Sequence, residues 1–315
     1  MHIMISFLIP CYRSEDTIEF VINEIEQKMS EREEYDYEIV AVNDASPDDV
    51  LTKLCYLMKK NNKIKIIDLA KNSGKEAALM AGYRNVLGDI VVNLDDDGQC
   101  PVYELWNLVD PLFNGYDVSI ASYSSKKQSA FKNFGSRVNS IMTRVLLEKP
   151  KDIQLSNFMA LKRFVVDEIV RYENPFPYAL GIIFKSTSKI INVPMEERER
   201  FSGTGSFTFR KSLSLWLNGF TAFSVKPLRL SSLIGALCAV IGFLFGIITI
   251  IKKLIIPNIS VGWSSIVSIM LFIGGLIMLM LGMIGEYIGR IYISINSTSQ
   301  YVIRQKIFFE EKTDE

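Results

Sequence analysis

Apolar positions recur along the first 125 residues with two periods in turn. Ile3 to Ile9 is a continuous apolar run that predicts a buried strand ending at Pro10. Ile18, Val21, Ile22 and Ile25 are spaced for one face of a helix over 17–29. The same exchange repeats: strand 38–42, helix 49–60, strand 63–69, helix 75–87, strand 89–94, a helix opened by Pro101, and a strand at 117–122. After the second strand, the turn from Asn43 to Pro47 carries a helix-start signal. Strands alternating with helices predict an α/β, Rossmann-like domain, a mostly parallel sheet covered on both faces. Ligands of such sheets sit beyond the strand C-terminal ends. The polar clusters fall there: Tyr12 and Glu15, Asp44, Lys71 and Lys75, and Asp95 to Asp97. Together they describe one crevice.

Further on the pattern changes. Residues 124–143 are polar and basic, a loop running into a helix. Strand-like segments follow at 158–161 and 190–193, with a helix at 165–172 and a break at Pro175 and Pro177. A charged, glycine-containing loop spans 198–206. Residues 207–223 form an aromatic amphipathic stretch, read either as a linker helix or as a helix lying on a membrane surface; its place before an apolar run favours the second. Residues 233–251 and 266–284 each lack any charge and contain one polar residue, Thr249 and Ser268 respectively. Each has the roughly 20 residues that cross a bilayer. Four basic residues, Lys226, Arg229, Arg290 and Arg304, flank this hairpin outside, against Lys252 and Lys253 within it. That bias favours a cytoplasmic N-terminal domain. The expected organisation is a catalytic domain over 1–206, a juxtamembrane segment over 207–231, a two-helix transmembrane hairpin over 232–285, and an interfacial and cytoplasmic tail over 286–315.

Composition removes several classes of chemistry. Lys plus Arg and Asp plus Glu are both 35, so no basic field points to nucleic acid. Four scattered cysteines form no paired motif, which disfavours a zinc site or a disulfide framework. The one histidine is His2, so a histidine triad or histidine metal site is not expected. The apolar start, residues 1–10, is too short to read as a signal peptide.

The most telling stretch is Asp95, Asp96 and Asp97, directly after the apolar run 90–94 and before Gly98, Gln99, Cys100 and Pro101. Adjacent carboxylates repel, and a cation relieves them. Strand alternation would turn Asp95 and Asp97 to one side and Asp96 to the other. Two hard oxygen ligands with Gln99 in reach suit Mg2+ or Mn2+ held with a substrate phosphate. On its own the stretch reads equally well as a solvated acidic loop.

Taken as an ordered set, the motifs carry a resemblance. They are Ile9-Pro10-Cys11-Tyr12, Asn43-Asp44-Ala45-Ser46, Asn72-Ser73-Gly74-Lys75-Glu76, Asp95-x-Asp97-x-Gln99, Arg200-x-x-Gly203, Lys226-Pro227-Leu228-Arg229 and Gly285-Glu286-Tyr287-Ile288-Gly289-Arg290. The chain resembles the inverting family 2 glycosyltransferases with the GT-A fold, within them the polyprenyl-phosphate sugar transferases, from about residue 5 to residue 304. The resemblance implies a donor pocket lined by Pro10, Tyr12, Glu15, Asp44, Lys75 and Asp96. It implies Asp95, Asp97 and Gln99 on the metal and the donor diphosphate, Arg200 approaching a phosphate, and Asp152 near the acceptor. Arg13 stands where that family usually has Asn, and Asn43 where it has Asp. Tyr123-Ser124 replaces an Arg, so Lys126 or Arg137 would supply the charge for the acceptor phosphate. Lys226 and Arg229 serve either to guide that phosphate or as interface anchors.

The function so implied is transfer of a sugar from a nucleotide sugar, UDP-hexose by preference, to undecaprenyl (polyprenyl) phosphate at the inner membrane of a bacterium, by a multi-pass enzyme for which the resemblance suggests a homo-oligomer. A phosphate monoester has a second pKa of about 6 and is largely dianionic at neutral pH, so it needs no strong general base. Asp95, Asp97, Asp152 and Arg200 are the residues assigned to catalysis, with Asp152 orienting a basic side chain or sharing a cation rather than acting as a base. The alternative is a membrane-anchored transferase acting on a polysaccharide or another non-lipid acceptor. A processive synthase is disfavoured because no Gln-x-x-Arg-Trp motif is present.

Overall fold

The computed structural model describes residues 3–123, 153–175, 177–196, 198, isolated positions between 233 and 255, 262–295 and 299–309. The chain divides into two units, Met1–Phe207 with Thr298–Glu315, and Thr208–Ser297.

The first unit is built on an eight-stranded sheet. Its strands are β1 Ile3–Cys11, β2 Tyr35–Asn43, β3 Ile64–Leu69, β4 Ile90–Asn93, β5 Val118–Tyr123, β6 Met159–Lys162, β7 Ile190–Met195 and β8 Ile303–Ile307. In space they run β7-β5-β6-β4-β1-β2-β3-β8. The β1–β2, β2–β3, β1–β4 and β5–β7 pairs are parallel. β6 enters antiparallel between β4 and β5, and β8 pairs antiparallel with β3. The helices are α1 Ile18–Met29, α2 Val50–Lys60, α3 Lys75–Tyr83, α4 Leu105–Phe113, α5 Arg163–Val170 and α6 Ala179–Ser186. The mostly parallel, doubly covered sheet is the one that the alternating pattern predicts.

Strand period explains the two cores. Ile5, Phe7 and Ile9 of β1 join Ile39 and Ala41 of β2 under α1, α2 and α4. Leu8, one residue out of phase, joins Val40, Val42 and Ile67 under α3, α5 and α6. Both faces being buried, these strands carry long apolar runs and are easily read, although Ser6, Glu38, Asn43 and Asp68 are buried among them. Strand order reverses at β1, which has β2 on one side and β4 on the other. The crevice at their C-terminal ends is the switch point of the sheet.

Two elements escaped the pattern. α6 is apolar on all sides and follows the proline-rich break, so it shows no helical stripe. β8 has charged residues between its two Ile ends. Within the stretch from residue 286, helix continues to Ile295, and Ile303–Ile307 pairs with β3 at an edge of the sheet.

In the second unit, α7 spans Trp263–Ile295. Among the described residues it holds the one stretch, Phe272–Ile293, long and apolar enough to cross a membrane. Its Phe272, Ile277, Met278, Leu281 and Ile288 are exposed. The described positions from Leu233 to Ile255 are helical, and Leu233, Leu237, Val240, Ile241 and Leu244 are exposed.

Candidate active site

The acidic run lies where β4 ends, beside the ends of β1 and β2. Asp96 turns into the protein. Its carboxylate accepts the Tyr12 N–H at 2.9 Å, and its carbonyl accepts the Thr17 hydroxyl at 2.6 Å. Burial pushes its carboxyl up to about 6, against hydrogen bonds from Ser14 and Tyr12 and with help from the charges of Asp95 and Asp97. Asp95 turns the other way. One oxygen pairs with the Lys75 ammonium at the start of α3, and the other accepts Asn157 Nδ2 at 3.2 Å. Asp95 and Asp96, both beyond the end of β4, thus take different partners. An Asp97 oxygen accepts the Gln99 N–H at 3.1 Å.

Gln99 is laced to the chain near residue 198. Its Nε2 donates to the Arg198 carbonyl at 3.2 Å, and the Arg198 N–H donates to the Gln99 carbonyl at 3.4 Å. The Arg198 guanidinium is held by Glu24 of α1 at 2.7 and 2.8 Å and lies 4.6 Å from the Tyr103 ring centre. The hydrogen bond to Glu24 is the main cause of its raised pKa.

The ends of β1 and β2 are cross-tied. Asp44 is buried, and its two oxygens accept the Ser73 and Gly74 N–H groups at 2.7 and 2.9 Å, anchoring the start of α3. Burial raises its pKa, and these two bonds oppose the rise. Glu15 donates its N–H to Asp48 at 3.0 Å and accepts the Asp49 N–H at 3.3 Å. Arg13 and Ala45 both adopt positive φ, +58° and +48°, a strained choice for residues with a Cβ. Tyr12 is exposed, with the Arg13 guanidinium 5.5 Å from its ring centre. Pro10 is buried inside β1, in register with Val42.

Of the residues the sequence singled out, Tyr12, Glu15, Asp44, Lys75, Asp95, Asp96, Asp97 and Gln99 therefore lie around the ends of β1, β2 and β4. Asp152, Lys126, Arg137, Arg200, Lys226 and Arg229 lie outside the described residues. Asn157, Glu24 and Arg198 were not foreseen. Asn157 stands 62 residues from its partner Asp95, and Glu24 stands 174 from Arg198, so no local pattern joins them. Among the described residues no three His, Cys, Asp or Glu gather to hold a metal ion. A divalent ion here would rest on Asp95 and Asp97, with its remaining oxygens from water and phosphate. That donor set is the one Mg2+ and Mn2+ accept beside a bound diphosphate.

Comparison with known proteins identifies the family. Residues 6–170 match the model of the family described as Glycosyl transferase family 2, and residues 226–291 match a GtrB C-terminal hairpin. The chain is 31% identical to the uncharacterized glycosyltransferase YkcC of Bacillus subtilis, over 99% of this chain and 96% of that protein. It is 32% identical to the putative glycosyltransferase CsbB of the same organism, over 96% and 92%. It is 31% identical to the SfII prophage-derived bactoprenol glucosyl transferase of Shigella flexneri, over 96% and 97%. With its GT-A sheet and an acidic run at the switch point, the chain belongs to glycosyl transferase family 2 and is a glycosyltransferase.

Proposed function

We propose that this enzyme moves glucose from a nucleotide sugar, UDP-glucose by preference, to a polyprenyl phosphate at the cytoplasmic face of a bacterial membrane. The observation that carries this reading is the full-length similarity to a bactoprenol glucosyl transferase, coupled to a crevice in which Asp95 and Lys75 face one another beside Asp97.

The chemistry asks little of the protein as a base. An acceptor phosphate with its second pKa of about 6 attacks as the dianion. Direct displacement inverts the anomeric centre, so an α-linked donor yields a β-linked lipid phosphate sugar. The difficulty is the charge that develops on the departing nucleoside diphosphate. Asp95 and Asp97 would hold a divalent ion, which would supply Lewis-acid neutralisation of that charge. Around it, the chain's own groups do the positioning. Lys75 brings a further positive charge to the mouth of the crevice. Asp96, turned inward on Tyr12, fixes the β1 loop against the acidic run. Asp44 ties the β2 loop to the start of α3.

Membrane attachment is supported by the exposed apolar face of α7 and by the match to a hairpin over 226–291. The pairing of β8 with β3 adds a topological argument. Residues before 208 and after 298 belong to one folded unit, so the chain between them crosses a bilayer an even number of times. Two crossings, 233–251 and α7, satisfy this, and they suit a multi-pass protein whose lipid substrate cannot leave the bilayer.

The test is to incubate membranes containing the protein with labelled UDP-glucose and undecaprenyl phosphate. Label moving to the lipid phase, and lost when Asp95 and Asp97 are both alanine, is the expected result. Label passing only to water-soluble or polymeric acceptors would refute the lipid acceptor. A panel of donors reads out the sugar.

A further inference from the structure

β8 is more than a cover for the sheet. Its pairing with β3 runs Ile67 with Lys306 and Asp68 with Gln305, then jumps to Leu69 with Ile303. One residue, Arg304, is left over as a bulge. Bulges next to active sites re-aim a side chain. This one aims Arg304 at Asp68, a carboxylate with no exposed surface. Nη1 lies 3.4 Å from Asp68 Oδ2, and Nη2 donates to the Ala70 carbonyl at 3.1 Å.

From Asp68 a line of hydrogen bonds runs straight to the crevice. Asn43 Nδ2 donates to the other Asp68 oxygen at 2.8 Å. Asn43 Oδ1 accepts the Ser46 N–H at 3.1 Å. Ser46 Oγ accepts the Arg13 N–H at 2.7 Å, and its hydroxyl donates to Asp48, which accepts the Glu15 N–H. Arg13 and Ala45, the two non-glycine residues at positive φ among the described residues, are both on this line or beside it. Strained backbone persists only where the surroundings over-determine it. The network also accounts for Asn43: a carboxylate there would face Asp68, whereas the amide donates to it.

We propose that Arg304 is a positioning residue for the nucleotide-sugar site: by neutralising Asp68 it sets Asn43, and through Ser46 the paired loops after β1 and β2 that receive the donor. It touches no reacting atom. The segment that follows the membrane helix is therefore part of the donor site's frame. This rests on the proposed nucleotide-sugar reading of the crevice.

The full-length protein is assayed for UDP affinity by calorimetry and for donor KM and kcat. Arg304→Met is expected to weaken UDP and raise donor KM about tenfold, with kcat at saturating donor within twofold and faster hydrogen exchange at the Arg13 and Ser46 amides. Removing the buried charge as well, in Arg304→Met with Asp68→Asn, keeps an acceptor for Asn43 and is expected to restore KM to within threefold. Arg304→Lys keeps the charge but loses the second arm to Ala70, and a threefold rise in KM is expected; it carries the test if Arg304→Met does not accumulate folded. A merely structural role lowers kcat through the active fraction and leaves KM alone. Unchanged UDP affinity and donor KM in folded Arg304→Met, or in Arg304→Lys in its place, overturns the inference. Wild-type protein that binds no UDP, UDP-glucose or other nucleotide sugar refutes the donor-site reading itself, and this inference with it.

Discussion

Replacing Lys75 by methionine separates two charges that compete for Asp95. The ammonium now occupies the carboxylate that a divalent ion would need. The pair is partly open to solvent, with side-chain exposures of 41% for Lys75 and 27% for Asp95. Such a pair is worth no more than about 1 kcal/mol. Since 1.36 kcal/mol is a factor of ten, freeing Asp95 tightens ion binding about fivefold. Removing a cation beside the bound ion acts in the same direction, although water screens much of that repulsion. The expected effect of Lys75→Met is thus a five- to tenfold lower Kd for Mn2+ without nucleotide, read from free Mn2+ by electron paramagnetic resonance. Lys71→Met, an exposed lysine four residues earlier, is the control and should leave the Kd unchanged. Turnover should fall at the same time if Lys75 passes from Asp95 to the donor diphosphate. An Mn2+ Kd within twofold of wild type, or a weaker one, would refute the competition.

Other consequences are smaller in scope. Asp44→Asn keeps one acceptor for Ser73 and Gly74 but sets an amide N–H against the other, at a cost of about 1–3 kcal/mol partly offset by relief of burying a charge; thermal unfolding should show a Tm lower by a few degrees, and no change would mean the tie is dispensable. Glu76 accepts the Ala179 N–H, and burial raises its pKa above the usual value. A raised carboxyl favours folding below its unfolded pKa and loses that contribution as pH rises through the folded one. Glu76→Gln should therefore raise Tm at pH 8, and the gain should vanish near pH 4; equal gains at both would contradict this. A Cβ on Gly88 would meet the Met4 carbonyl at 2.7 Å and the Ser6 nitrogen at 2.7 Å, both backbone, so Gly88→Ala should destabilise by roughly 1–3 kcal/mol in denaturant unfolding.

What could be read from the chain beforehand follows the physics of each element. β1 to β4 are buried on both faces, so their apolar runs stand out, and the acidic run after β4 announces itself by its own repulsion. β8 could not be read that way. An edge strand meets solvent, and Arg304, Gln305 and Lys306 look like an ordinary polar tail. The crevice was legible as a set of loops, since each loop carries its own polar cluster. The ties between the loops were not. Asn157 on Asp95, and Glu24 on Arg198, exist only once the fold has brought distant residues together. Asp44 shows the difference in another way: the sequence marks it as polar and placed at a strand end, but only the structure shows two backbone amides claiming its oxygens.

The capping of β3 by β8 also bears on how the polypeptide matures. An uncovered strand offers a row of free amides and carbonyls to any neighbouring chain. Here the strand that seals it is translated only after the whole apolar stretch before it. A ribosome product stalled or clipped before residue 303 would carry a sticky sheet margin into the cell. A sealed sheet margin is in this way reached only once residues 303–307 have been made.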